Sequence, residues 1–186
     1  EIVALRQIDL QKARNFPEVI SDFLGWCGDD PSFCTWGPSD LMELQRNLAY
    51  HQLPIPFPFP FLYYDIQKIF SIVYEDRRTR RSLEFAVDFL KIPKDVAFHS
   101  ALSDAHYTSE IMQHLTRTQI EQNSSVDYFH TPDNRRSEIH LRYATYTKYI
   151  SKPFVSKVQA MKDRIVVSMP CCTCGKNAVK EIRWFA

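Results

Sequence analysis

Short strand-like runs set between amphipathic helical stretches predict an α/β fold for this chain of 186 residues. Three observations carry the expectation. Apolar residues recur at a helical period over 9–26, 40–50, 65–73, 82–90 and 102–115. Two brief runs rich in aromatic residues, 32–36 and 61–64, lie between those stretches and read as strands. A hydrophobic content of 45%, with 13% aromatic residues, suffices for a packed core and argues against wholesale disorder.

Each element has a local reason. Over 9–26, Leu10, Ala13, Val19, Ile20, Phe23 and Leu24 fall near one helix face, and Pro17 suits a fresh first turn. Ser39 is placed to cap a helix from Asp40 to about Tyr50, with Leu41, Leu44 and Leu48 on one side. Prolines at every second position from Pro54 to Pro60 exclude helix and predict an extended connection. After the strand at 61–64, residues 65–73 read as helix, with Asp65 as its structural cap. Ser82 caps a helix to Leu90, which Pro93 ends. Leu102 to Leu115 gives a helix whose expected apolar stripe is Leu102, Ala105, Ile111, Met112 and Leu115. Beyond it, 116–135 read as polar loop, 136–162 as one or two charged helices broken at Pro153, and Ile165–Met169 as a strand. The expected organisation is a main domain over 1–115, a linker with helices over 116–165, and a small cysteine knuckle over 166–186.

A net charge of +1 means that any nucleic-acid binding must come from a local patch. No apolar run spans a bilayer and no signal-peptide pattern opens the chain, so no membrane partner is expected. Five cysteines, three of them crowded at Cys171, Cys172 and Cys174, fit a reduced cytoplasmic protein better than a disulfide framework. Glu1 in place of Met and a closing Trp184-Phe185 pair read as a fragment.

Two segments carry candidate chemistry. In FHSALSDAHYTSEI, residues 98–111, His99 stands five residues before Asp104, an acid in the first turn of a helix. The helix dipole favours a carboxylate there, and an imidazole in the preceding loop can take a proton from water. In FCTWGPSDLMELQRNLAYH, residues 33–51, a strand again ends just before an acid, Asp40, that opens a helix. In open α/β sheets, ligands gather beyond the carboxyl ends of strands. Taken singly, each acid reads first as a helix-start residue and His99 as a surface residue. His106 and His114 read as surface residues.

Together, WGPSD at 36–40 and HSALSDAHYT at 99–108 resemble the second and third motifs of the DEDDh 3′–5′ exonucleases, bacterial enzymes of the DnaQ-like, RNase H-like group. LRQIDLQKARNFPEVISDFLGW at 5–26 and YYDIQKIF at 63–70 are similar to the same group, so the resemblance covers about residues 1–115. It implies a partial RNase H-like fold without its first strands, with a small C-terminal helical and knuckle extension. It further implies hydrolysis at a DNA or RNA 3′ end, with Asp40 and Asp104 as metal ligands, His99 as general base and two Mg²⁺ or Mn²⁺ ions. Hard cations of this kind take oxygen ligands. The family's first motif, an Asp-x-Glu pair, occurs nowhere in the chain, so two of four metal carboxylates are missing.

The run Arg77, Arg78, Arg80, Arg81 is the dense basic cluster and a candidate phosphate contact, or simply a solvated face. Cys171 and Cys174 form a C-x-x-C followed by Gly175, a candidate Zn²⁺ half-site or plain free cysteines. His130 and His140 are too loosely placed to complete it. The alternatives to an exonuclease are a non-catalytic nucleic-acid-binding remnant and a zinc-ribbon interaction module.

Overall fold

Asn15 opens the first helix, its side chain accepting from the Glu18 amide at 3.2 Å, and α1 runs Phe16–Cys27 with Pro17 in its first turn. The structure is a computed structural model that describes residues 13–127, 129–144, 146–168, 170–171, 173–176 and 182. The expected helical residues before 13, Met169, Cys172 and the closing Trp184-Phe185 pair lie outside the described residues. The chain divides into two units, Glu1–Phe129 and His130–Ala186.

In the first unit the expected mixed α/β character is present. β1 (Cys34–Thr35) and β2 (Leu62–Asp65) run parallel, with Cys34 opposite Tyr64 and Thr35 opposite Asp65. β3 (Ser125–Val126) pairs antiparallel with the other side of β2, Leu62 facing Val126, so the strand order is β1-β2-β3. Between β1 and β2 lies α2 (Ser39–Tyr50), followed by the proline run. That run is extended as expected and alternates in burial. Leu53, Ile55 and Phe57 are half-buried while Pro54, Pro56 and Pro58 face out. Phe57 stacks on Phe61 at 4.6 Å, and Phe33 meets both edge-on.

Three helices follow β2. α3 (Ile66–Tyr74) is capped by Asp65, which accepts the Lys68 amide at 2.9 Å, so the expected structural role of Asp65 holds. α4 (Leu83–Phe89) is capped by Ser82, also as expected. α5 (Ala101–Gln113) is capped by Ser100, which exchanges bonds with Ser103 in a reciprocal box. The main core lies among α3, α4 and α5, where Ile66, Ile69, Phe70, Ala86, Val87, Tyr107 and Ile111 are fully buried. A second cluster, Leu41, Phe61 and Tyr63 with Phe33, Leu44 and Phe57, joins α2 to the sheet.

Five sequence expectations are corrected. Ser39 is the first residue of α2 and not its cap; Pro38 holds the cap position and makes no side-chain bond. The expected stripe of α5 holds at Ile111, Met112 and Leu115, which pack in the core, but Ser103, Tyr107 and Thr108 share the buried face, whereas Leu102 is 83% exposed and Ala105 also faces out. The tyrosine outweighs the leucine because its ring fills the gap beneath Phe98, on which it stacks at 4.4 Å. Residues 116–135 are not all loop. Thr116 and Gln119 form a capping box for α6 (Arg117–Glu121), and β3 follows. Lys68 Nζ secures the turn between them through Asn123 O, Ser124 O and Ser125 Oγ at 3.1–3.4 Å.

The other two corrections fall in the second unit. The helices expected over 136–162 are largely an antiparallel hairpin of β4 (Ile139–Arg142) and β5 (Thr147–Ile150), with Ile139 opposite Ile150 and Arg142 opposite Thr147. Ile139-His140-Leu141-Arg142 alternates inward and outward at period two, which the density of charges obscures. Among the described residues, α-helix there is confined to Lys157–Ala160 (α7, capped by Ser156), with a 3₁₀ turn at Arg135–Ser137. The strand expected at 165–169 is instead a helical turn, α8 (Arg164–Val167). Asp163 accepts the amides of Ile165 and Val166 and so overrides their β preference. Arg135 joins these parts, pairing with Glu138 at 3.0 Å and with Asp163. Burial, and then a hydrogen bond to Glu138, pushes the Tyr149 hydroxyl up to about 12. Among the described residues no helix is long and apolar enough to cross a membrane.

Candidate functional site

Because β1 and β2 are parallel, their carboxyl ends open on one edge of the sheet, and the helices that follow start there. Thr35 Oγ1 donates to Gly37 O at 2.6 Å and folds the chain sharply after β1. Gly37 sits at φ +96°, a conformation that disfavours a side chain, and the turn delivers Asp40 to the first turn of α2. On the neighbouring element, the Ser100–Ser103 box fixes the start of α5 and places Asp104 in its first turn.

The charge of the second acid reaches the first. Although Asp40 as a whole residue is exposed, partial burial of its carboxyl raises its pKa, and the negative charge of Asp104 raises it further. His99 stands at the lip of the same helix, exposed and in a left-handed conformation at φ +73°. Its backbone N–H donates to Asp104 Oδ1 at 3.4 Å. The preceding segment is held by Tyr107, whose hydroxyl donates to Val96 O at 2.7 Å and accepts from Val96 N at 3.1 Å. Asp104, which accepts from the backbone of His99, thus lies within electrostatic reach of Asp40.

Neither Asp40 nor Asp104 has a lysine or arginine partner among the ion pairs of the described residues. Two carboxylates within electrostatic reach of each other and without a counter-charge are suited in kind to a hard divalent cation. Among the described residues no group of three or more His, Cys, Asp or Glu side chains comes together.

Other acids and histidines have structural partners. Asp65 is committed to capping α3. Asp127, buried, accepts from Gln45 Nε2 at 2.8 Å and ties α2 to the residue after β3. No sequence signal marked Gln45, a polar residue that stands on the buried face of α2 beside Leu41 and Leu48. His106 pairs with Asp95 at 3.4 Å, and His114 is exposed.

The arginine run forms the loop after α3, and its members differ. Arg81 is held by both oxygens of Glu75 at 2.7 and 3.0 Å and lies 4.5 Å over the Phe85 ring. Its carbonyl accepts from Trp36 Nε1 at 3.2 Å and Gln67 Nε2 at 2.8 Å, which moors the loop beside the turn that carries Asp40. Arg80 bonds to Arg77 O at 3.3 Å. Asp76, held down to about 2 by the amides of Thr79 and Arg78, shapes the bend. Arg77 and Arg78 project into solvent.

In the second unit, backbone N–H groups of Cys174 and Thr173 turn toward Cys171 Sγ and lower its pKa to about 7. Cys27 and Cys34 are opposite in character, their thiols pushed up by burial. No known family, curated protein or solved structure matches the chain.

Proposed function

We propose that the Asp40–Asp104 edge of the first unit is half of the active site of a metal-dependent 3′–5′ exonuclease. The observation that supports this reading most is that the charge of Asp104 is felt at Asp40, 64 residues away in sequence. Helix-start acids of purely local purpose have no reason to converge. The resemblance of residues 36–40 and 99–108 to two exonuclease motifs supplies the reaction class.

In this reading Asp40 and Asp104 hold Mg²⁺ or Mn²⁺ by carboxylate oxygens. The cation, when bound, offsets charge on the attacking and leaving oxygens of the phosphodiester. His99, exposed at the mouth of α5, receives the proton of the attacking water on an imidazole nitrogen. Tyr107 and the Ser100–Ser103 box fix the backbone on either side of that histidine. Arg77 and Arg78 meet backbone phosphates of the strand without reading its bases.

The test is digestion of a 5′-labelled single-stranded oligonucleotide with Mg²⁺ or Mn²⁺, wild type against Asp104→Ala and His99→Ala. Shortening from the 3′ end that falls by about 10²-fold or more in each variant supports the reading. Digestion unchanged in both variants overturns it. Should the 186-residue chain cleave nothing, Mn²⁺ binding abolished by Asp40→Ala distinguishes an incomplete site from a mistaken one. A second reading, a nucleic-acid-binding module that does not cleave, is favoured by the solvent-directed Arg77 and Arg78 and is recognised by salt-dependent binding without digestion.

A further inference from the structure

The loop around the second-unit cysteines is built from reciprocal backbone bonds. Cys171 N–H donates to Lys176 O at 2.6 Å, and Gly175 N–H returns to Cys171 O at 3.0 Å. These bonds close residues 171–176 into a tight knuckle. Gly175 completes it at φ +69°, with nothing within 4 Å of where a Cβ would stand. The conformation, and not crowding, is therefore what asks for glycine. Inside the knuckle the Thr173 amide points at Cys171 Sγ at 3.4 Å. Cys174 is exposed and Cys171 half-buried.

A turn that merely reverses the chain requires one backbone bond and no donors on a sulfur. An amide aimed at a sulfur fixes it as an acceptor in the loop, and two cysteine sulfurs three residues apart on one tight loop can chelate a single ion. Sulfur donors select a thiophilic cation over Mg²⁺ or Mn²⁺. Cysteine pairs of this spacing suit zinc, which is redox-inert and takes four ligands in a tetrahedron.

We infer that Cys171 and Cys174 chelate a zinc ion through their two sulfurs, with groups outside the 171–176 loop completing its coordination. This site is independent of the Asp40–Asp104 edge in donors and in metal. Zinc binding here stands or falls without reference to nuclease activity.

Cobalt substitution tests the inference on the whole 186-residue chain, purified under reducing conditions. Co²⁺ should produce thiolate-to-cobalt charge-transfer absorption that zinc then abolishes and that millimolar Mg²⁺ leaves intact. Cys171→Ser and Cys174→Ser should each weaken zinc binding by about tenfold or more, since each removes one ligand. Cys27→Ser and Cys34→Ser should leave it unchanged, and matching far-ultraviolet circular dichroism would show that the variants fold. A stoichiometry of one zinc per chain or one per two chains supports the inference, the latter with twice the thiolate absorption per metal. Absence of a charge-transfer band, or a band that survives both cysteine substitutions, overturns it.

Discussion

Tyr107→Phe removes one oxygen atom from the centre of the first unit. The ring stays, fully buried and stacked on Phe98 at 4.4 Å, so no cavity forms. Two hydrogen bonds vanish, one donated to Val96 O at 2.7 Å and one accepted from Val96 N at 3.1 Å. At about 0.5–1.5 kcal/mol each, the pair sums to about 1–3 kcal/mol. Val96 is 42% exposed, so water can reach its backbone once the hydroxyl is gone. This rehydration places the expected loss in the lower half of that range, about 1–2 kcal/mol. The assay is urea unfolding, read as a lower midpoint at unchanged slope. Hydrogen exchange should at the same time show the Val96 amide losing protection more than amides of α3. A loss below about 0.5 kcal/mol would refute the reasoning that these bonds secure the segment leading to His99.

Two further outcomes follow from the same geometry. Asp40→Asn should raise stability at neutral pH, because burial and Asp104 both disfavour the Asp40 carboxylate. With the folded pKa above the ordinary 3.8, the wild type gains stability as pH falls through it, so the advantage of the variant should disappear in acid. Urea midpoints at neutral and acid pH check the sign, and an advantage that persists below the ordinary carboxylate range would contradict it. Phe70→Ala, at a fully buried ring that meets Trp36, Tyr74 and Phe89 at 5.1–6.0 Å, should cost about 3–5 kcal/mol in denaturant unfolding. Phe70→Leu should cost clearly less.

The elements of the first unit were legible where one local rule dominates. Ser82, Asp65 and Pro17 each announce a helix start by chemistry that needs no tertiary partner. The proline run declares itself extended for the same reason. What could not be read locally was which face each helix buries. Leu102 and Tyr107 compete for the core side of α5, and the choice rests on Phe98 and the Val96 backbone, reached through the tertiary fold. β3 is two residues long and exists because β2 offers an open edge and Lys68 holds the turn before it. In the second unit, the hairpin's alternation was masked by charged and polar outward positions, and α8 depends on a single aspartate cap. The candidate site was half legible. Spacing and helix-start position marked Asp40, His99 and Asp104, whereas their convergence depends on the parallel pairing of β1 with β2 and on how α5 packs beside them. The distinction between Arg81, which Glu75 and Phe85 hold in place, and its neighbours Arg77 and Arg78 was likewise invisible in a run of like charges.

The left-handed backbone at His99 makes that position a filter on what can replace the histidine. Residues branched at Cβ clash there, and alanine keeps a strain of about 1 kcal/mol while losing the imidazole. Glycine loses the imidazole and relaxes the turn. The two simplest knock-outs of one side chain are therefore different experiments. Any effect on catalysis common to His99→Ala and His99→Gly belongs to the ring, and any difference between them belongs to the peptide that carries it.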